Sequence, residues 1–313
     1  MNLKVGTRGS RLSIVQTQLV LDALKRVHDE LNFEVVTIRT KGDTDARPLY
    51  TIDRKGIFEK EIDAAVQDCK VDFAVHSLKD IPSELPERLV IASIPKRESP
   101  NDVLVNNGGK RLNDIGKGSV IGTSSLRRAV QIRRIRPDLT VRPIRGNVET
   151  RVKKMVNKEF DALVLAEAGL RRLGLQDLIT ERFPIEDFMP SPGQGAMAVV
   201  SRKDDLELIN ILKKIEDRKS RAEITAERAL LLHINAGCRF PLGALGSVNG
   251  NKLNLYASVY SIDGSERIDV KRSSSIEDAE GLGTDVAREL EKRGAMRLAL
   301  LWRDAVEKWG ANR

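Results

Sequence analysis

Two well-separated stretches of the chain follow one plan, and that repetition narrows the folds open to it. Leu3 to Gly6 reads as a short apolar strand, after which Thr7 and Ser10 offer helix caps and Leu12, Val15, Leu19, Ala23 and Val27 recur at helical spacing. Ser119 to Gly122 reads as a second strand and Thr123 to Ser125 as a capping turn. Leu126, Val130 and Ile135 then begin a helix that Pro137 ends. Further strand candidates, Glu34 to Arg39, Phe73 to Val75, Val103 to Val105, Thr140 to Pro143 and Ala162 to Leu165, interleave with helical runs such as Glu59 to Asp68 and Glu149 to Lys158. Alternation of this kind builds open α/β sheets. Each repeated turn also points a helix N terminus, with its unpaired N–H groups, out of a strand end, so both turns can bind anions.

The segment Met189 to Gly195 is dense in Pro and Gly and precedes the apolar run Ala196 to Val200, as expected where a chain leaves one domain and re-enters another. From about residue 218 the pattern changes. An amphipathic helix (Ile224, Leu230, Leu231, Ile234) leads into a cysteine-bearing loop, and the turn signals Asn249-Gly250 and Asp263-Gly264 flank the alternating Leu253, Leu255, Ala257 and Val259. That is the signature of a small antiparallel sheet, closed by helices over Ile276 to Arg293 and Met296 to Glu307.

A net charge of +8 points to an anionic partner without distinguishing nucleic acid from a small acid. Distribution says more. Between Arg127 and Arg151 stand eight arginines and no lysine, and the planar guanidinium fork suits oriented capture of carboxylate or phosphate. Arg133, Arg134 and Arg136 fit a solvated helix face better. Aromatic residues make up only 4%, which leaves few stacking platforms for single-stranded nucleic acid. No run of eighteen uncharged apolar residues occurs, and the first residues lack a signal-peptide core, so a soluble intracellular protein is expected. The two cysteines, Cys69 and Cys238, lie far apart from each other and from His28, His76 and His233, suggesting neither a disulfide framework nor a metal cluster. Cys69 is expected to pack at a helix end.

Cys238 sits in Asn235-Ala236-Gly237-Cys238-Arg239-Phe240-Pro241-Leu242-Gly243. The adjacent cation and Gly/Pro-bounded backbone suit a reactive thiolate, a nucleophile or point of covalent attachment; a small buried hydrophobe is the alternative. Ser77, Lys79 and Asp80 emerge at the carboxyl end of a strand, where open α/β sheets place ligands. Asp80 reads either as a turn residue paired with Lys79 or as a carboxylate that stabilises a cation or moves a proton.

Together, His76-Ser77-Leu78-Lys79-Asp80-Ile81-Pro82, Gly122-Thr123-Ser124-Ser125-Leu126-Arg127-Arg128, Arg145-Gly146-Asn147-Val148, Gly193-Gln194-Gly195-Ala196 and Gly237-Cys238 occur in an order that resembles the porphobilinogen deaminase (hydroxymethylbilane synthase) family over nearly the whole chain. The resemblance implies an α/β fold of three domains. Two open-sheet lobes like those of periplasmic binding proteins, residues 1–97 with 196–216 and residues 98–195, would flank a cleft, and a small α+β domain, 217–313, would carry the cysteine. It implies a cytoplasmic, monomeric transferase that joins four porphobilinogen molecules head to tail with loss of ammonia, without metal, nucleic acid or membrane. Product would grow on a dipyrromethane cofactor held by a thioether to Cys238, which makes each addition effectively intramolecular. Asp80 would be the catalytic carboxylate, beside the cations that develop on pyrrole nitrogen. Arg8, Ser10, Lys55, Ser77, Lys79, Thr123, Ser125, Arg127, Arg128, Arg145, Gly146, Arg151, Arg172 and Gln194 would bind cofactor and substrate side chains. Two positions depart from the pattern: Thr51 where some members have lysine, and Ala236 where others have glycine. A two-lobed solute-binding protein and a nucleic-acid binder are the rival readings, and neither needs the thiol.

Overall fold

The computed structural model describes residues 1–44, 59–234 and 241–298. The first lobe is formed by β1 (Asn2–Arg8), α1 (Arg11–Lys25), β2 (Asn32–Ile38), α2 (Lys41–Thr44), α3 (Lys60–Gln67), β3 (Phe73–Ser77) and β4 (Leu89–Ser93). The chain crosses to a second lobe of β5 (Asp102–Val105), β6 (Val120–Gly122), α4 (Leu126–Ile135), β7 (Thr140–Arg142), α5 (Val148–Val156), β8 (Ala162–Ala166), α6 (Glu167–Arg172) and β9 (Ile179–Arg182). It then returns as β10 (Met197–Arg202) and α7 (Leu206–Leu212). The third region comprises α8 (Arg218–Ile234), β11 (Leu242–Asn249), β12 (Lys252–Tyr260), β13 (Arg267–Ser275) and α9 (Ala279–Lys292).

The repeated sequence plan becomes a repeated sheet. The lobes have strand orders β2-β1-β3-β10-β4 and β7-β6-β8-β5-β9. In each, three parallel strands are followed by an antiparallel fourth, β10 or β5, which is the strand reached directly from the other lobe. β4 and β9 carry no alternation strong enough to announce them in the sequence; each joins its sheet by pairing with that antiparallel strand.

Both five-stranded sheets are covered on two faces, which is why their central strands read as continuous apolar runs. Leu3, Val5, Phe73, Val75 and Val199 pack with Leu21, Leu24 and Leu212 on one face of the first sheet, while Ala74, Ala198 and Val200 pack with Ile62 and Val66 on the other. In the second lobe Ile121, Val164 and Val141 meet Ala129 and Ile132, and Leu163, Leu165 and Val105 meet Met155 and Leu170. In the third region Leu253, Leu255, Ala257 and Val259, all fully buried, face Leu230, Val286 and Leu290. Complete burial of each large side chain there contributes roughly 2 kcal/mol.

Helix α1 does not bury the expected stripe. Leu19 is 44% and Val27 50% exposed, and the buried face is Gln16, Thr17, Val20, Leu21 and Leu24. Thr17 Oγ1 donates to Thr7 Oγ1 at 2.9 Å and Gln16 Nε2 to Ser77 Oγ at 2.9 Å, so polar groups that a periodicity reading assigns to solvent are satisfied inside. Arg136, also expected on a solvated face, binds Asp138 and the carbonyls of Leu112, Asn113 and Ile115. Cys69 follows α3 as expected but is exposed and has φ of 57°. The last expected helix, Met296 to Glu307, lies mostly outside the described residues.

Candidate active site

The parallel strands of both lobes deliver their carboxyl ends, and the turns that follow them, to one cleft. β1 ends at Arg8, and Ser10 caps α1 by accepting from the Ser13 N–H at 3.3 Å. β3 runs into a 3-10 turn, Leu78–Asp80, that presents Lys79 and Asp80 to solvent. Across the cleft β6 leads to Ser125, the N-cap of α4, and β7 to the Arg145-Gly146-Asn147 turn, where Asn147 caps α5. Gly146 takes φ +115°, a conformation that favours glycine, and a Cβ there would clash with Thr150; its carbonyl accepts from Arg151 Nε at 2.8 Å. The lobes touch at the rim, where Arg11 bonds Glu149 at 2.7 Å.

The Lys79–Asp80 turn is reached by water yet enclosed by protein mass, as on a cleft floor. That partial desolvation, with Arg128 close by, lowers the Lys79 pKa to about 8, against the opposing pull of Asp80 and Asp102. Arg151 is likewise held down to about 10 by burial and by Arg128 and Arg145, opposed by Asp80. Asp80 therefore lies within electrostatic reach of Lys79, Arg128 and Arg151. Among the described residues its carboxylate enters no hydrogen bond or ion pair.

Behind this floor two buried acids organise the crossing segments. Asp102, fully buried, pairs with Arg127 and Arg128, each at 2.7 Å, and accepts from Gln194 Nε2 at 2.8 Å. Burial alone would raise its pKa; the two guanidinium groups hold it at about 2. Glu227 of α8, also fully buried, accepts from Arg97 at 2.6 Å, from the Gly193 N–H at 2.5 Å and from the Gly246 N–H at 2.7 Å. One side chain thus joins both crossing segments to the third region. The segments also bind each other directly, Arg97 Nε donating to the Gln194 carbonyl and Gln194 Nε2 to that of Pro100, and Arg172 at the end of α6 donates to the Gly195 carbonyl. Gly195, at φ +87°, lies so close to the Glu98 carbonyl that any Cβ would collide with it.

Residues 3–210 match the family model for the porphobilinogen deaminase dipyrromethane cofactor binding domain, and residues 221–292 match that for the porphobilinogen deaminase C-terminal domain. The chain belongs to the porphobilinogen deaminase family. Its members are transferases of tetrapyrrole biosynthesis. A probable porphobilinogen deaminase of Nitrosopumilus maritimus is 54% identical over 99% of both chains. The porphobilinogen deaminase of Roseiflexus castenholzii is 45% identical over 95% of this chain and 98% of its own, and that of Desulforamulus reducens 41% over 95% and 96%. Among solved structures, the methionine binding protein MetQ aligns with 68% of this chain and 89% of its own at 12% identity and a TM-score of 0.45. No described helix is long and apolar enough to cross a membrane, and no group of three or more His, Cys, Asp or Glu among the described residues could hold a metal ion.

Arg8, Ser10, Ser77, Lys79, Asp80, Ser125, Arg145, Gly146 and Arg151 stand at strand ends and in first helix turns around the cleft, whereas Arg172 ends α6 and donates to the Gly195 carbonyl. Several have a local partner as well: Ser77 is bonded to Gln16, Ser125 caps α4, and Thr123 is buried and accepts from the Ser125 N–H. Arg127, Arg128 and Gln194 lie deeper than their motifs suggest, drawn into the buried node around Asp102. Cys238 and Lys55, with Thr51 and Ala236, lie outside the described residues. Asp102, Arg97 and Glu227 escaped the sequence reading. Glu227 had left a signal: it stands between Ile224 and Leu230 on the apolar stripe of α8, where an acid must have buried partners. A dipyrromethane fits this donor set, because its carboxylates would offset the crowded cations that depress Lys79 and Arg151, and the exposed Asp80 carboxylate could accept from a ring N–H.

Proposed function

We propose that this chain joins four porphobilinogen molecules head to tail, releasing ammonia at each addition, and finally releases the linear tetrapyrrole hydroxymethylbilane. The observation that carries this reading is Asp80: a carboxylate on the cleft floor that, among the described residues, enters no hydrogen bond or ion pair, within electrostatic reach of Lys79 and Arg151 and of Arg128 beneath them. A dipyrromethane, bound through a thioether at Cys238, would supply the anchored pyrrole end to which each unit is added. Arg8, Ser10, Lys55, Lys79, Ser125, Arg145, Arg151 and Arg172 would hold acetate and propionate groups, with helix N termini adding N–H donors. Ser77, Thr123 and Gly146 shape the turns that carry them, and Arg127 and Arg128 supply cationic backing, with the neutral Gln194 amide bonded to Arg128. Asp80 would face the developing positive charge on pyrrole N–H groups and move a proton there; its placement before substrate binds is what makes such a charge effective.

Within this reading, residues 1–97 with 196–216, residues 98–195 and residues 217–313 act as three domains. The chain works as a cytoplasmic monomer on a small molecule, without a nucleic-acid or membrane partner. Scarcity of aromatic residues supports the exclusion of single-stranded nucleic acid.

The purified protein given porphobilinogen is expected to consume it with release of ammonia. Cys238→Ser is expected to abolish turnover and to have the mass of the bare polypeptide, whereas the active protein is heavier by the cofactor. Binding without consumption would overturn the reading in favour of a two-lobed binding protein. Full activity at the bare mass would remove the tether.

The Lys79 ammonium sets a pH limit. Its pKa is lowered to about 8, so the cation is present below that pH and lost above it, and kcat/KM is expected to fall as pH rises through this range. Lys79→Arg keeps its charge and should extend the plateau upward. A basic limb unchanged in that variant would show that Lys79 is not its source.

A further inference from the structure

Asp102 is a buried acid beside the cleft that the proposed chemistry leaves unassigned. It begins β5, where the first crossing segment enters the second lobe, and is fully enclosed. Oδ2 accepts from Arg127 at 2.7 Å, while Oδ1 accepts from Arg128 Nε at 2.9 Å and from Gln194 Nε2 at 2.8 Å. Arg127 and Arg128 are neighbours in the first turn of α4, and adjacent side chains on a helix do not share a direction. Asp102 draws both to one point. Gln194 comes from the returning segment and closes the arrangement by accepting from Arg128 at 3.2 Å. The Arg127 head also donates to the Met189 carbonyl and Arg128 to that of Val164, so both guanidinium groups are held from more than one side.

We infer that Asp102 is a positioning residue: it fixes Arg127 and Arg128 as one oriented cationic pair beneath the cleft and offsets part of the positive charge that faces Lys79. The inference rests on the functional reading above for the identity of the anion, a carboxylate-bearing pyrrole. Lys79 is faced by Asp80 on its own turn, by Arg127 and Arg128 from α4, and by Asp102 from β5. The two guanidinium groups disfavour its proton and the two acids favour it. Removal of the Asp102 charge leaves two cations against one acid, so Lys79 keeps its proton over a narrower pH range. Loss of packing alone would not move that titration.

Asp102→Asn has similar size and no charge. It is expected to lower kcat/KM for porphobilinogen roughly ten- to hundredfold through misplaced arginines. The basic limb of its pH profile should shift to lower pH by about half a unit or more. Asp102→Glu retains the charge but displaces it by one methylene; it should keep the wild-type basic limb while losing kcat/KM. Circular dichroism establishes that each variant is folded, and where the Asn variant is not, the Glu variant decides. An unmoved basic limb in folded Asp102→Asn, or wild-type kcat/KM in folded Asp102→Glu, overturns the inference. Every value is read against the wild-type protein, whose own failure to consume porphobilinogen would sink the functional reading instead.

Discussion

Asp80→Asn is expected to slow porphobilinogen consumption about a thousandfold, equivalent to about 4 kcal/mol in the barrier, while leaving the fold and the attached cofactor in place. The size follows from where the carboxylate stands. It is the acid facing Lys79, Arg128 and Arg151 from the cleft floor, and among the described residues it supports no other group by hydrogen bond or ion pair. Asparagine therefore costs little in stability. What it removes is a negative charge placed before any positive charge develops on substrate, in a site where solvent is partly excluded and such a charge is worth more than in water. Because the interaction grows with that charge, kcat should fall more than KM rises. Steady-state ammonia release, with the intact mass to verify cofactor attachment, checks both parts. Turnover within a few-fold of wild type would take Asp80 out of the chemistry.

Glu227→Ala should destabilise the protein by about 3–5 kcal/mol, the range for breaking a buried ion pair from one side. The substitution strands Arg97, whose side chain is only 6% exposed, together with the Gly193 and Gly246 N–H groups, and Glu223 at 3.6 Å cannot replace the lost contacts. Three parts of the chain are released at once: the outgoing crossing segment, the returning one and the first strand of the third region. The loss should appear in chemical unfolding, and a midpoint equal to wild type would show that Glu227 does not hold the lobes to the third region. Glu227→Gln keeps the length and an acceptor oxygen but not the charge, and is expected to fall between the two.

The parts of the fold legible in the sequence were those that local chemistry dictates. Ser10 and Ser125 cap their helices because a hydroxyl at that position satisfies an orphan N–H, and Pro137 stops α4 just after Arg136 because it has none to give. Asn249-Gly250 turns the β11–β12 hairpin because glycine reaches positive φ, 61° here, without strain. Alternation identified Leu253, Leu255, Ala257 and Val259 as one buried face. The same logic failed on α1, where Gln16 and Thr17 are inside because Ser77, 61 residues away, and Thr7, on the preceding strand, complete their hydrogen bonds.

The sequence by itself determined the strand-turn-helix units, the caps that aim helix N termini at an anion, and the motifs that brought Lys79, Asp80 and the arginines into consideration; each depends on residues a few positions apart. Tertiary structure alone decided which arginines are taken up by a buried acid, and that the Asp80 carboxylate, among the described residues, enters no hydrogen bond or ion pair. Asp102 meets Arg127 and Arg128 across 25 and 26 residues, and Glu227 meets Arg97 across 130. Charge pairing acts through space at a few ångströms, and no local pattern records which distant partner the folded chain will bring within that reach.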